Sequence, residues 1–342
     1  MCGKDSSHDY STLVTALSRT MVFKQDSHPR YEGPVALKVA AKSGSDDRGM
    51  HPSLHEAGVY KLICPHPSIP DYVDCVEDWF DTERFLAEEE RRGEQRLPVL
   101  VTQFIKAVAL DRFLCSVRVI RWSVVIHIAN QLVEVLKHIN SKGVVYRDLK
   151  LPNVIIGAGG NVWLVDYASS MIVGGEEPSS GVTSHMRPPE SFEFPDHQSG
   201  EQISQAQLSF MADFWVFGAF LLEILSGRPY LGSFDVRSSH LTQSQLEEKV
   251  LEGVSVIKDR YKGAYYNRRF NKSFPCNAKT LWDALTGLLI KLLRRNPKER
   301  LGHDGGWYAV KQQPFFKYTL CDLTVPFPLD YEDEIEELMA GF

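Results

Sequence analysis

The stretch Tyr146-Arg147-Asp148-Leu149-Lys150-Leu151-Pro152-Asn153 gathers an acid, two cations and an amide into eight residues near the middle of the chain. Asp148 can accept or orient a hydroxyl proton, Lys150 can neutralise charge on a group in flight, and Asn153 can ligate magnesium through its amide oxygen. Upstream, Val125, Ile128, Ala129, Leu132, Leu136 and Ile139 form the apolar stripe of an amphipathic helix over Trp122 to Asn140, with Gly143 as its stop. A short strand is expected at Val144 to Tyr146. Downstream, Val154 to Ile156 is expected to pair with Val162 to Val165 across the turn Gly157 to Asn161. The apolar run ends on Asp166, where an isolated carboxylate is costly unless it holds a cation. Two polar loops therefore flank a tight hairpin.

Further out, Val35, Leu37 and Val39 alternate with Ala36, Lys38 and Ala40, which reads as a strand carrying Lys38. Glu56 lies on a plausible helix, from which it can pair with Lys38. Leu100 to Phe104 reads as a second strand, and a helix is expected from Asp111. The densely charged Phe80 to Pro98 is expected to be a solvated loop or helix. Phe214 to Leu225 is apolar on nearly every side, as in a buried helix, and leucines at 281, 285, 288, 289 and 292 mark another. The chain thus supplies candidates for the groups that phosphoryl transfer from ATP requires: a cation for the phosphates in Lys38, a hydroxyl-orienting acid in Asp148 and magnesium ligands in Asn153 and Asp166.

The chain of 342 residues is 43% hydrophobic, enough for a substantial core in one large domain or two lobes. A net charge of -6 argues against nucleic acid as a partner, because phosphate backbones are held on basic faces. Six cysteines form no CxxC pair or zinc spacing and read as reduced thiols in a cytoplasmic protein. No signal peptide or transmembrane segment is expected.

The ordered set VALKV, Glu56, YRDLKLPN, DYA, RPPE and DFWVFG resembles the protein-kinase superfamily from about Leu13 to about Phe316. The resemblance implies an α+β, bilobal fold: an extension at 1–12, a small β-rich lobe at 13–104, a larger mainly helical lobe at 105–316 and an acidic tail at 317–342. It also implies ATP and magnesium as cofactors. Lys38, held by Glu56, would reach the phosphates, Asp148 and Lys150 would act in catalysis, and Asn153 and Asp166 would hold the metal. Adenine would hang on the backbone of Gln103 and Ile105, between Val22, Ala36 and Ile155, with Thr102 at the back and Asp111 near the ribose. Glu190 would pair with Arg300, and Asp213 would brace the catalytic loop. Lysine two residues after Asp148, together with Thr183, is similar to serine/threonine kinases, so a protein substrate is implied. Arg147 is the arginine that would receive a phosphate on Ser179 or Ser180, whose charge Glu176 and Glu177 could partly supply. The ending NPKERLG to QQPFF is similar to the cyclic-nucleotide-dependent group. The stretches Ser191 to Phe210 and Leu241 to Phe274 offer surface for a regulatory or scaffold partner.

Three features depart from that pattern. LVTALSRTMVF, Leu13 to Phe23, contains no glycine where the family carries a glycine-rich phosphate loop, so side chains crowd the backbone's approach to phosphates. Ser18, Arg19 and Thr20 could substitute as donors. Asp166-Tyr167-Ala168 replaces DFG, and Ala168 restricts the flip of this segment. Tyr60, Tyr72, Tyr146 and Tyr167 would form the fold's stacked column, locked by hydroxyl hydrogen bonds. The alternative to an active enzyme is a pseudokinase-like binding module.

Overall fold

The computed structural model describes residues 13–17, 20–40, 50–81, 94–117, 120–175, 187–191, 205–227, 241–265 and 278–317, with 335, 338 and 339. The chain divides into two compact units, Met1–Lys106 with Val165–Gly181, and Ala107–Leu164 with Val182–Gly341.

The first unit is built on an antiparallel sheet of five strands: β1 (Leu13–Leu17), β2 (Thr20–Gln25), β3 (Val35–Ala40), β4 (Tyr72–Asp81) and β5 (Glu94–Gln103). Their order is β1-β2-β3-β5-β4. Alternation sends Met21, Phe23, Val35, Leu37, Val39, Leu97, Val99 and Val101 into one core, and the opposite face carries Lys38. Helix α1 (Pro52–Ile63) packs against β3, β4 and β5. His51 caps it, its side chain accepting from the Ser53 N–H, and Pro52 occupies the first turn, where a missing N–H costs nothing. The helix buries Ser53, Glu56, Ala57, Val59, Tyr60 and Ile63.

The charged stretch corrects one expectation. Phe80 and Asp81 end β4, and Glu94 to Pro98 begin β5, so these residues are strand rather than loop or helix. Residues 82–93 lie outside the described residues. Cross-strand pairing accommodates the charge: Arg96 Nε meets Glu77 Oε2 at 3.4 Å, with both side chains well exposed. Pro98 is tolerated because the β3 pairing reaches only to Val99, so no ladder bond is asked of its nitrogen on that side.

In the second unit, β6 (Val108–Ala109) leads into α2 (Leu110–Ser116), then α3 (Trp122–Ser141) and the two-residue β7 (Val144–Val145). Gly143, at φ +75, ends α3 in the left-handed conformation that glycine adopts without strain. β8 (Val154–Ile156) pairs with β9 (Val162–Leu164) as the expected hairpin, and β6 adds to β8. The expected buried helix is α4 (Gln205–Ser226), against which α3, α5 (Gln243–Tyr265) and α6 (Ala278–Leu292) pack. Gly218 allows the close approach of α6: a Cβ there would lie 2.9 Å from Leu292 Cβ. Short helices α7 (Gly306–Lys311) and α8 (Pro314–Lys317) follow. The expected partner surfaces coincide in part with α4 and α5, while 192–204 and 266–274 lie outside the described residues. No helix among the described residues is long and apolar enough to cross a membrane.

Candidate active site

Strand β3 turns Lys38 away from the core, and register sets its neighbours on that face: Val22 opposite Lys38 on β2, and Thr102 opposite Ala36 on β5. The Lys38 ammonium lies 2.7 Å from Glu56 Oε2 and 2.5 Å from Asp166 Oδ1. Burial works against its charge, but the Asp166 and Glu56 carboxylates outweigh it and hold the Lys38 pKa above its ordinary value. Lys38 therefore stays a cation at any working pH. Burial drives the Glu56 carboxyl upward, opposed by Lys38 and by the Tyr167 N–H, which donates to Glu56 Oε1 at 2.9 Å. Asp166 takes φ +64, an uncommon left-handed position for a residue with a Cβ.

Among the tyrosines, Tyr60 and Tyr167 are buried and meet edge to face with centroids 4.9 Å apart. Burial pushes both phenols well above their ordinary pKa. Tyr72 is only half-buried and holds the Lys61 ammonium over its ring at 5.4 Å. Tyr146 is fully buried in the second unit. At the expected adenine segment, the Gln103 N–H donates to the Asp71 carbonyl at 2.9 Å, so a purine hydrogen bond at Gln103 must use its carbonyl. Ile105 is half-buried.

In the second unit, Asp148 Oδ2 receives Lys150 Nζ at 2.6 Å and Asn153 Nδ2 at 3.0 Å, and Asn153 Nδ2 also reaches the Asp148 carbonyl at 2.9 Å. Asp213 on α4 supports this loop, accepting from the N–H groups of Tyr146 and Arg147 at 2.9 and 2.8 Å. Burial raises the Asp213 pKa, and these donors oppose the rise. Arg147 sits at φ +70, and its buried Nη1 has no hydrogen-bond partner among the described residues. Arg300, fully buried, grips Glu190 with two nitrogens at 2.6 and 2.8 Å. Ile155 lies on β8 opposite Ala109. Asp111 lies in the first turn of α2, and its buried Oδ1 has no partner among the described residues.

Ser179, Ser180, Thr183, Glu176, Glu177, Ser18 and Arg19 lie outside the described residues. Among those described, no group of three or more His, Cys, Asp or Glu side chains gathers as a cation site. Magnesium does not need one, since it keeps waters and takes phosphate oxygens beside one or two carboxylates. Asp166, whose side chain is 39% exposed, suits that requirement, as does Asn153, whose amide nitrogen is committed to Asp148 and whose oxygen is thereby the atom left for a cation. A ribose hydroxyl likewise suits the partnerless Asp111 oxygen.

Sequence reasoning missed Asn140. Its Nδ2 donates to Asp213 Oδ2 at 2.8 Å and to the Val144 carbonyl at 2.9 Å, while its Oδ1 accepts from the Trp307 indole at 2.6 Å. A polar residue in the last turn of an amphipathic helix gives no signal of this. His55, whose Nε2 lies 2.7 Å from the Ser170 carbonyl, was missed too.

Residues 21–316 match the family model described as the protein kinase domain. The chain is 26% identical over 216 residues to human protein kinase C delta type, covering 60% of this chain and 26% of that protein. It is 26% identical over 197 residues to the probable serine/threonine-protein kinase mkcF of Dictyostelium discoideum, covering 57% and 24%. Over 189 residues it is 26% identical to the cGMP-dependent protein kinase, isozyme 2 forms cD5/T2, of Drosophila melanogaster, covering 54% and 16%. The matches thus span about a quarter or less of these relatives' own length.

Proposed function

The chain belongs to the protein kinase family, and from that premise we propose that it transfers the terminal phosphoryl group of ATP to serine or threonine hydroxyls of a protein substrate. The observation that carries this reading is the Asp148 carboxylate, 4% exposed, with Lys150 at 2.6 Å and Asn153 at 3.0 Å on one of its oxygens. In this arrangement Asp148 orients the attacking hydroxyl and takes its proton, while Lys150 stabilises negative charge on the phosphoryl oxygens. Lys38, kept cationic by Glu56 and Asp166, supplies positive charge to the nucleotide phosphates. Asp166 and Asn153 would hold magnesium, which when bound neutralises charge on the phosphates. The spacing of Lys150 from Asp148 and the printed name of the Dictyostelium relative both support serine and threonine as acceptors. In the first unit, Val22 and Ala36 would offer apolar surface to adenine, with the Thr102 side chain beside Ala36 on β5; in the second, Ile155 on β8 would do the same. The partnerless Nη1 of Arg147 suits a phosphate from Ser179 or Ser180.

The test is paired: ATP binding with and without magnesium by thermal shift, then phosphate incorporation into a generic protein substrate. Asp148→Ala should retain binding and lose transfer by about 10²- to 10⁴-fold, the usual contribution of a positioned base. Magnesium-dependent binding with no transfer that depends on Asp148 would instead favour a binding module, a reading to which the glycine-free hairpin, Leu17 paired with Thr20, lends support.

A further inference from the structure

Helix α1 holds the segment after β9 at more points than Glu56 alone. One residue before Glu56, His55 places Nε2 2.7 Å from the Ser170 carbonyl, a distance at which the ring N–H donates. Tyr167 N–H donates to Glu56 Oε1 at 2.9 Å, and Ser170 N–H closes a turn onto the Tyr167 carbonyl at 3.0 Å. The turn links the two attachment points, so neither can shift without straining the other. The Tyr60 ring, also on α1, packs against Tyr167 between them. Ser170 is fully buried and His55 half-buried, so water competes poorly for this contact.

Asp166 needs such restraint. A non-glycine residue at φ +64 persists only where its surroundings over-determine it. One end of the segment is set by β9 and by Lys38; toward the other, the turn from Tyr167 to Ser170 and the His55 contact both bear on Ser170. We propose that His55 is a positioning residue that, through the Ser170 carbonyl, fixes the Asp166 carboxylate in the orientation that takes magnesium. This rests on the kinase reading above and adds to it a second anchor on α1. His55 touches neither nucleotide nor metal in this account. Its contribution needs only one donor nitrogen at the Nε2 position, which a glutamine amide can supply and leucine cannot.

Three proteins decide it: wild type, His55→Leu and His55→Gln. Hydrogen exchange of residues 165–172 without ligand should quicken about tenfold in His55→Leu and return toward wild type in His55→Gln. The magnesium concentration giving half of the ATP-dependent thermal shift should rise at least tenfold in His55→Leu, within the range of losses when a group supporting a metal ligand is removed, and fall back in His55→Gln. Unchanged exchange in His55→Leu would overturn the clamp. Faster exchange with an unchanged magnesium midpoint, or a glutamine variant that behaves like leucine, would overturn the positioning of Asp166 through it. A wild-type protein showing no magnesium-dependent ATP binding would instead condemn the functional reading, and the metal-directed part of this one with it.

Discussion

Glu223, on α4, is a carboxylate 8% exposed whose Oε2 meets no hydrogen-bond partner among the described residues. Burial alone pushes its pKa from 4.5 up to about 7. The folded state therefore binds this proton more tightly than the unfolded chain. The resulting stability is complete below about pH 4.5 and is lost as pH rises through about 7. Glu223→Gln, which cannot ionise, should be more stable than wild type at pH 8 by on the order of 2–3 kcal/mol, with the gap closing by pH 4.5. Urea denaturation at the two pH values checks this, and a constant difference would contradict it. At this scale the sequence is legible where chemistry dictates the letter. Lys38, Asp148, Asn153 and Asp166 stand out in the sequence because few side chains offer the chemistry proposed for them. His55 and Asn140 are not, because each acts through a backbone carbonyl or a neighbour brought close only by folding.

Among elements, the Arg300 guanidinium joins three pieces of the second unit. It holds Glu190 in the short turn Pro189–Ser191, the Met211 carbonyl on α4 and the Arg294 carbonyl after α6, and it lies 5.2 Å from the Trp215 ring. Removing one partner of a buried pair leaves a desolvated charge, so Arg300→Met should cost about 3–5 kcal/mol. Replacing both, as in Glu190→Leu with Arg300→Met, should cost less than Arg300→Met alone, because no carboxylate is then stranded. Equal losses in the single and double variants, by denaturant unfolding, would show that Glu190 is not the group that suffers. The elements themselves were mostly visible in hydrophobic period: β3, α3, the β8–β9 hairpin and α6 lie where the pattern puts them. The β4–β5 pair extends further than expected, because charges on exposed strand edges pair across the ladder and imitate a solvated loop.

Over the whole molecule, residues Val165–Gly181 cluster with the first unit although they follow part of the second, a closure that no local pattern announces. Asp166 thereby joins Lys38 and Glu56, while Asp148 and Asn153 belong to the second unit. A nucleotide binding as proposed would stabilise the chain through mass action. At a hundredfold excess over Kd the gain is about 2.7 kcal/mol, and a tenfold weaker Kd at the same concentration reduces it to about 1.4 kcal/mol. The absence of glycine from Leu13 to Phe23 leads us to expect the smaller figure, because glycine is the residue that lets backbone donors approach phosphates closely. ATP should therefore raise the unfolding temperature modestly and only with magnesium. Lys38→Met should abolish the rise, because the substitution removes the cation proposed for the phosphates and leaves Glu56 and Asp166 without the ammonium between them. Losing that ammonium lowers the stability of the variant without ligand as well, so the comparison has to be the ligand-induced change within each protein. A rise that survives in Lys38→Met, or one indifferent to magnesium, would mean that ATP binds elsewhere than on this face of β3.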